Sequence, residues 1–173
     1  MTNSLKYILL FLLLLLAVSC APGWKDAEET GSKPVIFPDY CDVVIPSGIA
    51  PLNFRIEGEP GSTVALIEGS PETIVIKGNN EIIIPAPKWK KLLDANRGGS
   101  LKITLYACYK DGWKKYEPFS INISSDPIDP WIAYRLIAPG YETWSEMGIY
   151  QRELSSYNQE TIIDNRLLPG ACM

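Results

Sequence analysis

The sequence predicts an all-β protein with one short helix, built as two consecutive units. Three observations carry this. From Pro34 to Ser125, short runs rich in Val, Ile and Leu alternate with clusters of Gly, Pro, Ser and Asn, the punctuation of antiparallel strands and tight turns. A single stretch, Pro87–Asn96, has helical rather than strand spacing. The joint Asp126-Pro127-Ile128-Asp129-Pro130 fixes φ at two prolines and biases the residues before them to extended backbone, so a new unit starts after it.

The chain opens on an apolar run. Tyr7 to Val18 is twelve mostly apolar residues, which as a helix reaches about 18 Å and falls short of the roughly 30 Å hydrocarbon core. With Lys6 before it and small residues after it, the run has the build of a secretory signal. Ala17-Val18-Ser19-Cys20 resembles the lipobox of bacterial lipoproteins, although Ala17 stands where that pattern prefers leucine. The resemblance implies that residues 1–19 are removed, that Cys20 is acylated, and that the chain is held at a membrane face. Residues 20–39 then read as a flexible tether, because Ala21 to Pro34 is small, polar and acidic.

Residues 40–125 form the first unit. Asp42–Ile45, Leu52–Glu57, Thr63–Glu68, Thr73–Lys77 and Glu81–Pro85 are strand candidates, separated by Ser47-Gly48, Pro60-Gly61, Gly69-Ser70-Pro71 and Gly78-Asn79-Asn80. In Pro87–Asn96, Trp89, Leu92 and Leu93 fall at i, i+3 and i+4, Pro87 suits a first turn, and Gly98 suits a stop. Lys88, Lys90 and Lys91 form the solvated face of this helix. Lys110-Asp111-Gly112-Trp113 is a hairpin signal that pairs Leu101–Tyr109 with Lys115–Ser124 through a tight primed turn. Seven strands at this spacing resemble an immunoglobulin- or fibronectin-type β-sandwich, with the helix as the crossover between the fifth and sixth strands.

The second unit covers 126–173. Trp131–Ile137, Gly148–Leu154 and Glu160–Asp164 are three strand candidates, with Pro139-Gly140-Tyr141 and Ser155-Ser156-Tyr157-Asn158 as the connections. They look like most of one β-propeller blade, which cannot bury both faces of its sheet alone. The runs Trp131-Ile132-Ala133-Tyr134-Arg135-Leu136-Ile137, Pro139-Gly140-Tyr141-Glu142 and Met147 to Ser156 resemble the start of the propeller in Bacteroidetes-type envelope lipoproteins. Those proteins carry an N-terminal β-sandwich and a Tol-type β-propeller, and are often labelled cytochrome c biosynthesis proteins. The resemblance implies a C-terminally truncated member. In that family the segment matching Gly170-Ala171-Cys172-Met173 continues into Asn-Cys-His and completes a C-x-x-C-H haem-attachment motif. Haem c is therefore expected only if the full-length protein continues past Met173, and no cofactor is expected in this chain.

Composition narrows the function. There are no histidines, so a Ser-His-Asp triad, a His-ligated zinc and a His-ligated haem cannot be built from this chain alone. Lys+Arg 16 against Asp+Glu 20 gives a net charge of −4, and loss of Lys6 with the signal makes the mature chain more acidic; no basic cluster points to nucleic acid. Nucleophile–base pairs, metal clusters and phosphate loops are not apparent, so an enzyme is not expected.

Four cysteines, Cys20, Cys41, Cys108 and Cys172, belong to an oxidising compartment. Cys41 and Cys108 are either a bridge or two separate thiols. Cys108 falls on the face opposite Leu101, Ile103, Leu105 and Ala107, which points it away from a core built on those residues. Tyr106, Tyr109, Trp113 and Tyr116 around the hairpin form either a ligand-facing surface or a set of cross-strand packing contacts. The expected function is a membrane-tethered envelope lipoprotein with a binding or scaffolding sandwich and a protein or glycan partner. The alternatives are a component of a c-type cytochrome system and a glycan-binding surface lipoprotein.

Overall fold

The computed structural model describes residues 23–137 and 147–164. The chain is all-β apart from a single α-helix and a 3-10 turn at Trp24–Asp26 among the described residues. The strands of the first unit are β1 (Glu28–Glu29), β2 (Ile36–Phe37), β3 (Val44–Ile45), β4 (Phe54–Ile56), β5 (Ser62–Glu68), β6 (Thr73–Gly78), β7 (Glu81–Ile82), β8 (Ser100–Tyr109), β9 (Gly112–Lys115) and β10 (Phe119–Ile123); helix α1 (Ala86–Ala95) lies between β7 and β8. The second unit has β11 (Trp131–Leu136), β12 (Gly148–Glu153) and β13 (Gln159–Asp164).

Strand β8 organises a seven-stranded sheet. Along one side it pairs with β5, which in turn pairs with β6. Its other side is shared by β9 and β10, both antiparallel to it. These two strands are one run interrupted at Tyr116–Pro118, where Pro118 has no N–H for the ladder and the register slips by a residue. β1 then joins β9 and β3 joins β10, each in parallel. The β8–β9 hairpin forms where the sequence predicts it, but not as a primed turn. Among its loop residues only Gly112 takes positive φ, at +123°, whereas a type I′ turn needs positive φ at both central positions.

A three-stranded sheet, β2-β4-β7, supplies the other wall of the core. Alternation places Ile36, Phe54, Ile56 and Ile82 inward, opposite Ala65, Ile67, Ile74, Ile76, Ile103, Leu105 and Phe119, and all belong to one cluster of buried side chains. The outward side of this wall carries Arg55, whose guanidinium lies 5.1 Å from the centre of the Phe37 ring.

The α1 segment carries the chain from one sheet to the other. Its Trp89, Leu92 and Leu93 are each at most 1% exposed, as the i, i+3, i+4 spacing predicts. Asn96 ends it by accepting at Oδ1 from Ser70 N (2.9 Å) and donating through Nδ2 to Ser70 O (2.9 Å) and Leu92 O (2.8 Å). Gly69 beside that contact has no room for a side chain, since a Cβ there would stand 2.7 Å from Leu101 and 2.9 Å from Leu92.

The expected flexible tether over 20–39 is corrected by the structure. Trp24–Asp26 packs on β8 and β9, β1 adds to β9 with Glu28 opposite Lys114 and Glu29 opposite Lys115, and Ile36 on β2 is in the core. The acidic residues that read as solvated linker are pairing partners for lysines of the hairpin, at 3.0 Å for Glu28–Lys114 and 2.7 Å for Glu29–Lys115. Folded structure thus begins well before residue 40.

The second unit is a three-stranded antiparallel sheet in the order β11-β12-β13, at the positions the sequence predicts. A bulge between Ile149 and Tyr150 offsets β13. The predicted turn at Pro139-Gly140-Tyr141 lies outside the described residues.

Candidate functional site

Four aromatic residues were candidates for a single ligand-facing surface, and the pleat divides them. Tyr106 pairs with Lys115 and Cys108 with Trp113, so Tyr106, Cys108 and Trp113 share the outer face of the seven-stranded sheet. Tyr109 and Tyr116 instead pack against the core from its edge. Their hydroxyls are 2.9 Å apart, and Tyr109 also donates to Glu57 O at 3.4 Å. Burial, and then the Tyr116 hydroxyl, push the Tyr109 phenol well above its ordinary range. Tyr109 and Tyr116 thus meet each other at the core's edge, and Tyr106 and Trp113 stand on the opposite face. A fifth aromatic escaped sequence reasoning because it lies in the supposed tether: the Trp24 ring meets the Tyr106 ring edge-on, centroids 5.0 Å apart at 67°. Trp24 thus sits on the outer face beside Tyr106, which is itself buried.

The end of the β8–β9 hairpin faces the turn between β4 and β5 across a cleft of about 770 Å³, lined by Gly58, Glu59, Ser62, Cys108, Tyr109, Lys110 and Asp111. Gly61 N donates to Cys108 O at 2.9 Å and closes its floor. Gly58 at φ +88° and Glu59 at φ +50° shape the turn, and a Cβ at Gly58 would sit 3.5 Å from the Tyr109 ring. Asp111 is bridged to Lys114 at 3.0 Å, which holds its carboxyl below the ordinary carboxylate range. An aromatic edge beside carboxylates and a hydroxyl suits a polar, hydroxylated ligand. A nucleophile set against a general base is not among these residues.

The two candidate disulfide cysteines are separate thiols. Asp42, next to Cys41, accepts from Ser120 N at 3.0 Å, and Ser120 pairs with Lys102. Cys108 is six residues further along β8, a strand length of about 20 Å, far beyond the Cα separation a disulfide spans. As the sequence predicts, the Cys108 side chain faces away from the core. Burial and the neighbouring Asp39 push the Cys41 thiol up to about 11. Cys20 and Cys172 lie outside the described residues. Among the described residues no three His, Cys, Asp or Glu side chains converge as a metal site, and no helix is long and apolar enough to cross a membrane.

A second concave region, about 350 Å³, lies where the two units meet. Ser47, Ile49 and Pro51 line it from the first unit, Pro87 and Lys90 from α1, and Ser155 from the β12–β13 turn. Three hydrogen bonds line this junction, and the last two cross between the units. Trp89 Nε1 donates to Ile49 O (3.2 Å), Ala50 N donates to Leu154 O (2.6 Å), and the Tyr157 hydroxyl donates to Pro51 O. The turn is fixed by Glu153, whose carboxylate accepts from the hydroxyls of Ser155 and Ser156 at 2.8 Å each. These bonds, with Lys90 contributing, lower the Glu153 carboxyl from its ordinary value. Ser155-Ser156-Tyr157-Asn158 was legible as a connection; the docking of this turn on Ala50 and Pro51 was not.

Beyond the turn, the sheet β11-β12-β13 exposes large apolar side chains. Ile132 and Leu136 stand on one face and Trp131 and Ile149 on the other, with Ile162 at the bulge; each is between 40% and 50% exposed. No protein-family model and no curated protein matches this sequence.

Proposed function

We propose that the chain is a membrane-tethered envelope lipoprotein that binds or scaffolds rather than catalyses. In this reading Cys20 is the lipid attachment site, the first unit is an immunoglobulin- or fibronectin-like sandwich, and the three-stranded sheet is the first blade of a propeller-type platform. Two sheets sharing one core, with α1 as the crossover between them, support the sandwich. The observation that carries the functional reading is the open sheet. Three strands with exposed Trp131, Ile132, Leu136, Ile149 and Ile162 on both faces do not bury enough surface to stand alone, so these faces are built to be covered by further sheets or a partner.

The test is photocrosslinking in cells from p-benzoylphenylalanine placed at Ile132, Ile149 or Ile162, with Lys77 on the first unit as control. Discrete adducts from the three sheet positions, absent at Lys77, are expected. Adducts equally at all four positions, or at none, contradict the reading.

Glycan binding is a second reading, supported by the cleft beside Tyr109, Glu59 and Asp111. It expects glycan-array signals that are lost in Tyr109→Ala and kept in Trp113→Ala, because Trp113 is not among the residues lining that cleft.

A further inference from the structure

The anchor and the fold are separated by very little chain. Among the described residues the first side chain packed on the sheet is Trp24, edge-on to Tyr106 at 5.0 Å. It is followed at once by the parallel pairing of Glu28 and Glu29 with Lys114 and Lys115, and by Thr30 N donating to Lys115 O at 2.9 Å. Cys20 precedes Trp24 by four residues, a span of at most about 14 Å. The free spacer that Ala21 to Pro34 would provide, about 50 Å at full extension, does not exist while Trp24 is seated.

From this we infer that the lipidated protein rests with the outer face of the seven-stranded sheet against the bilayer, Trp24 acting as the latch that sets the orientation. The inference rests on the lipoprotein reading. Its partner is a lipid surface, and three properties of the face fit that partner. Val44 and Val75 stand on it 69% and 50% exposed. Lys25, Lys77 and Lys102 are also exposed, and Lys25 lies 5.8 Å from the Trp24 ring centre. Of the acidic residues there, Glu29 is paired with Lys115 at 2.7 Å and Glu68 with Lys102 at 3.3 Å, and Asp26 stands exposed beside Lys25. This leaves the face mildly cationic, with an exposed valine at each of its two edges, suited to anionic headgroups. The β2-β4-β7 wall, with Arg55 and Glu81 outward, is then turned away from the membrane, about 10 Å further off than the seven-stranded sheet.

The experiment uses the full lipidated chain in vesicles of phosphatidylcholine and phosphatidylglycerol at 3:1. Energy transfer to a headgroup acceptor is read from a fluorophore clicked onto p-azidophenylalanine at Lys77 or at Arg55. Flotation with the vesicles is scored separately and reports the anchor alone. The expected result is flotation of both labelled proteins, with transfer several-fold stronger from position 77 than from position 55. Trp24→Ala should float equally and lose the difference, as should a twelve-residue Gly/Ser insertion after Gly23. Flotation with equal transfer from both positions overturns the orientation and leaves the anchor standing; a difference that survives Trp24→Ala and the insertion overturns Trp24 as the latch. Failure to float overturns the anchor and the orientation with it.

Discussion

Trp89 joins the core to the junction between the two units, so its replacement separates two consequences that are usually merged. The side chain is 1% exposed, shares the inward row of α1 with Leu92 and Leu93, and donates from Nε1 to Ile49 O at 3.2 Å. Truncation to alanine in such a site costs about 3–5 kcal/mol. For a first unit of roughly 100 residues, each kcal/mol moves Tm by about 4–8 °C, so Trp89→Ala should lower Tm by at least about 12 °C. Trp89→Phe retains most of the volume but deletes the bond to Ile49 O, a loss of about 1 kcal/mol from the bond itself. Ile49 is followed by Ala50 and Pro51, which hold Leu154 and Tyr157 of the three-stranded sheet. Trp89→Phe should therefore speed hydrogen exchange at the Ala50 amide more than at β5 or β8 amides. Urea unfolding gives the first quantity and exchange mass spectrometry the second. A Trp89→Ala protein within about 1 kcal/mol of the parent would refute the placement of α1 in the core. Unchanged Ala50 exchange in Trp89→Phe would refute the mechanical link between the units.

Other outcomes follow from individual contacts. Thr63 Oγ1 is buried without a hydrogen-bond partner, so Thr63→Val should raise the unfolding free energy by about 1 kcal/mol in urea titration. Asn96→Ala removes both bonds to Ser70 and should destabilise by about 1–2 kcal/mol, whereas Asn96→Asp, which keeps Oδ1 and loses the donor, should cost less. Cys41 and Cys108 should both titrate as free thiols in the denatured, unreduced protein. In the native protein at pH 8.5 Cys41 should stay largely unreactive to thiol reagents. Because the Cys41 value is raised on folding to about 11, the stability it contributes is full below its ordinary value of 9.0 and is lost as pH rises toward 11, a slope Cys41→Ala should remove. Asp42 has the opposite sign. Its carboxyl is lowered by the ion pair with Lys33 and then by Ser120 N–H, so its contribution is present above the ordinary value of 3.8 and falls away at lower pH. The urea midpoint of Asp42→Asn should be flatter between about pH 5 and about pH 2 than that of the parent.

Strand positions were legible because alternation is local. Thr63–Glu68, Leu101–Tyr109 and all three strands after Pro130 fall within a residue or two of their predicted bounds, and the outward direction of Cys108 follows from counting along β8. The i, i+3, i+4 spacing of Trp89, Leu92 and Leu93 sufficed for α1 in the same way. What escaped was pairing over long sequence separation. Glu28 and Glu29 look like solvent-facing linker until Lys114 and Lys115 are placed beside them, and nothing in the sequence around Trp24 marks it as packing on Tyr106. The cleft at Tyr109 is also a product of topology, since Gly58 and Asp111 meet only when β5 pairs with β8. The division of the four hairpin aromatics between two faces was open to the same counting that placed Cys108, because Tyr106 and Tyr109 differ in parity.

The intact mass of the protein purified from membranes of its expressing cells bears most directly on the lipoprotein reading. A mature polypeptide beginning at Cys20 and carrying a diacylglycerol, with metabolic palmitate incorporation abolished in Cys20→Ala, is the predicted result. A polypeptide that retains residues 1–19, or one that begins elsewhere with no lipid mass, would contradict it.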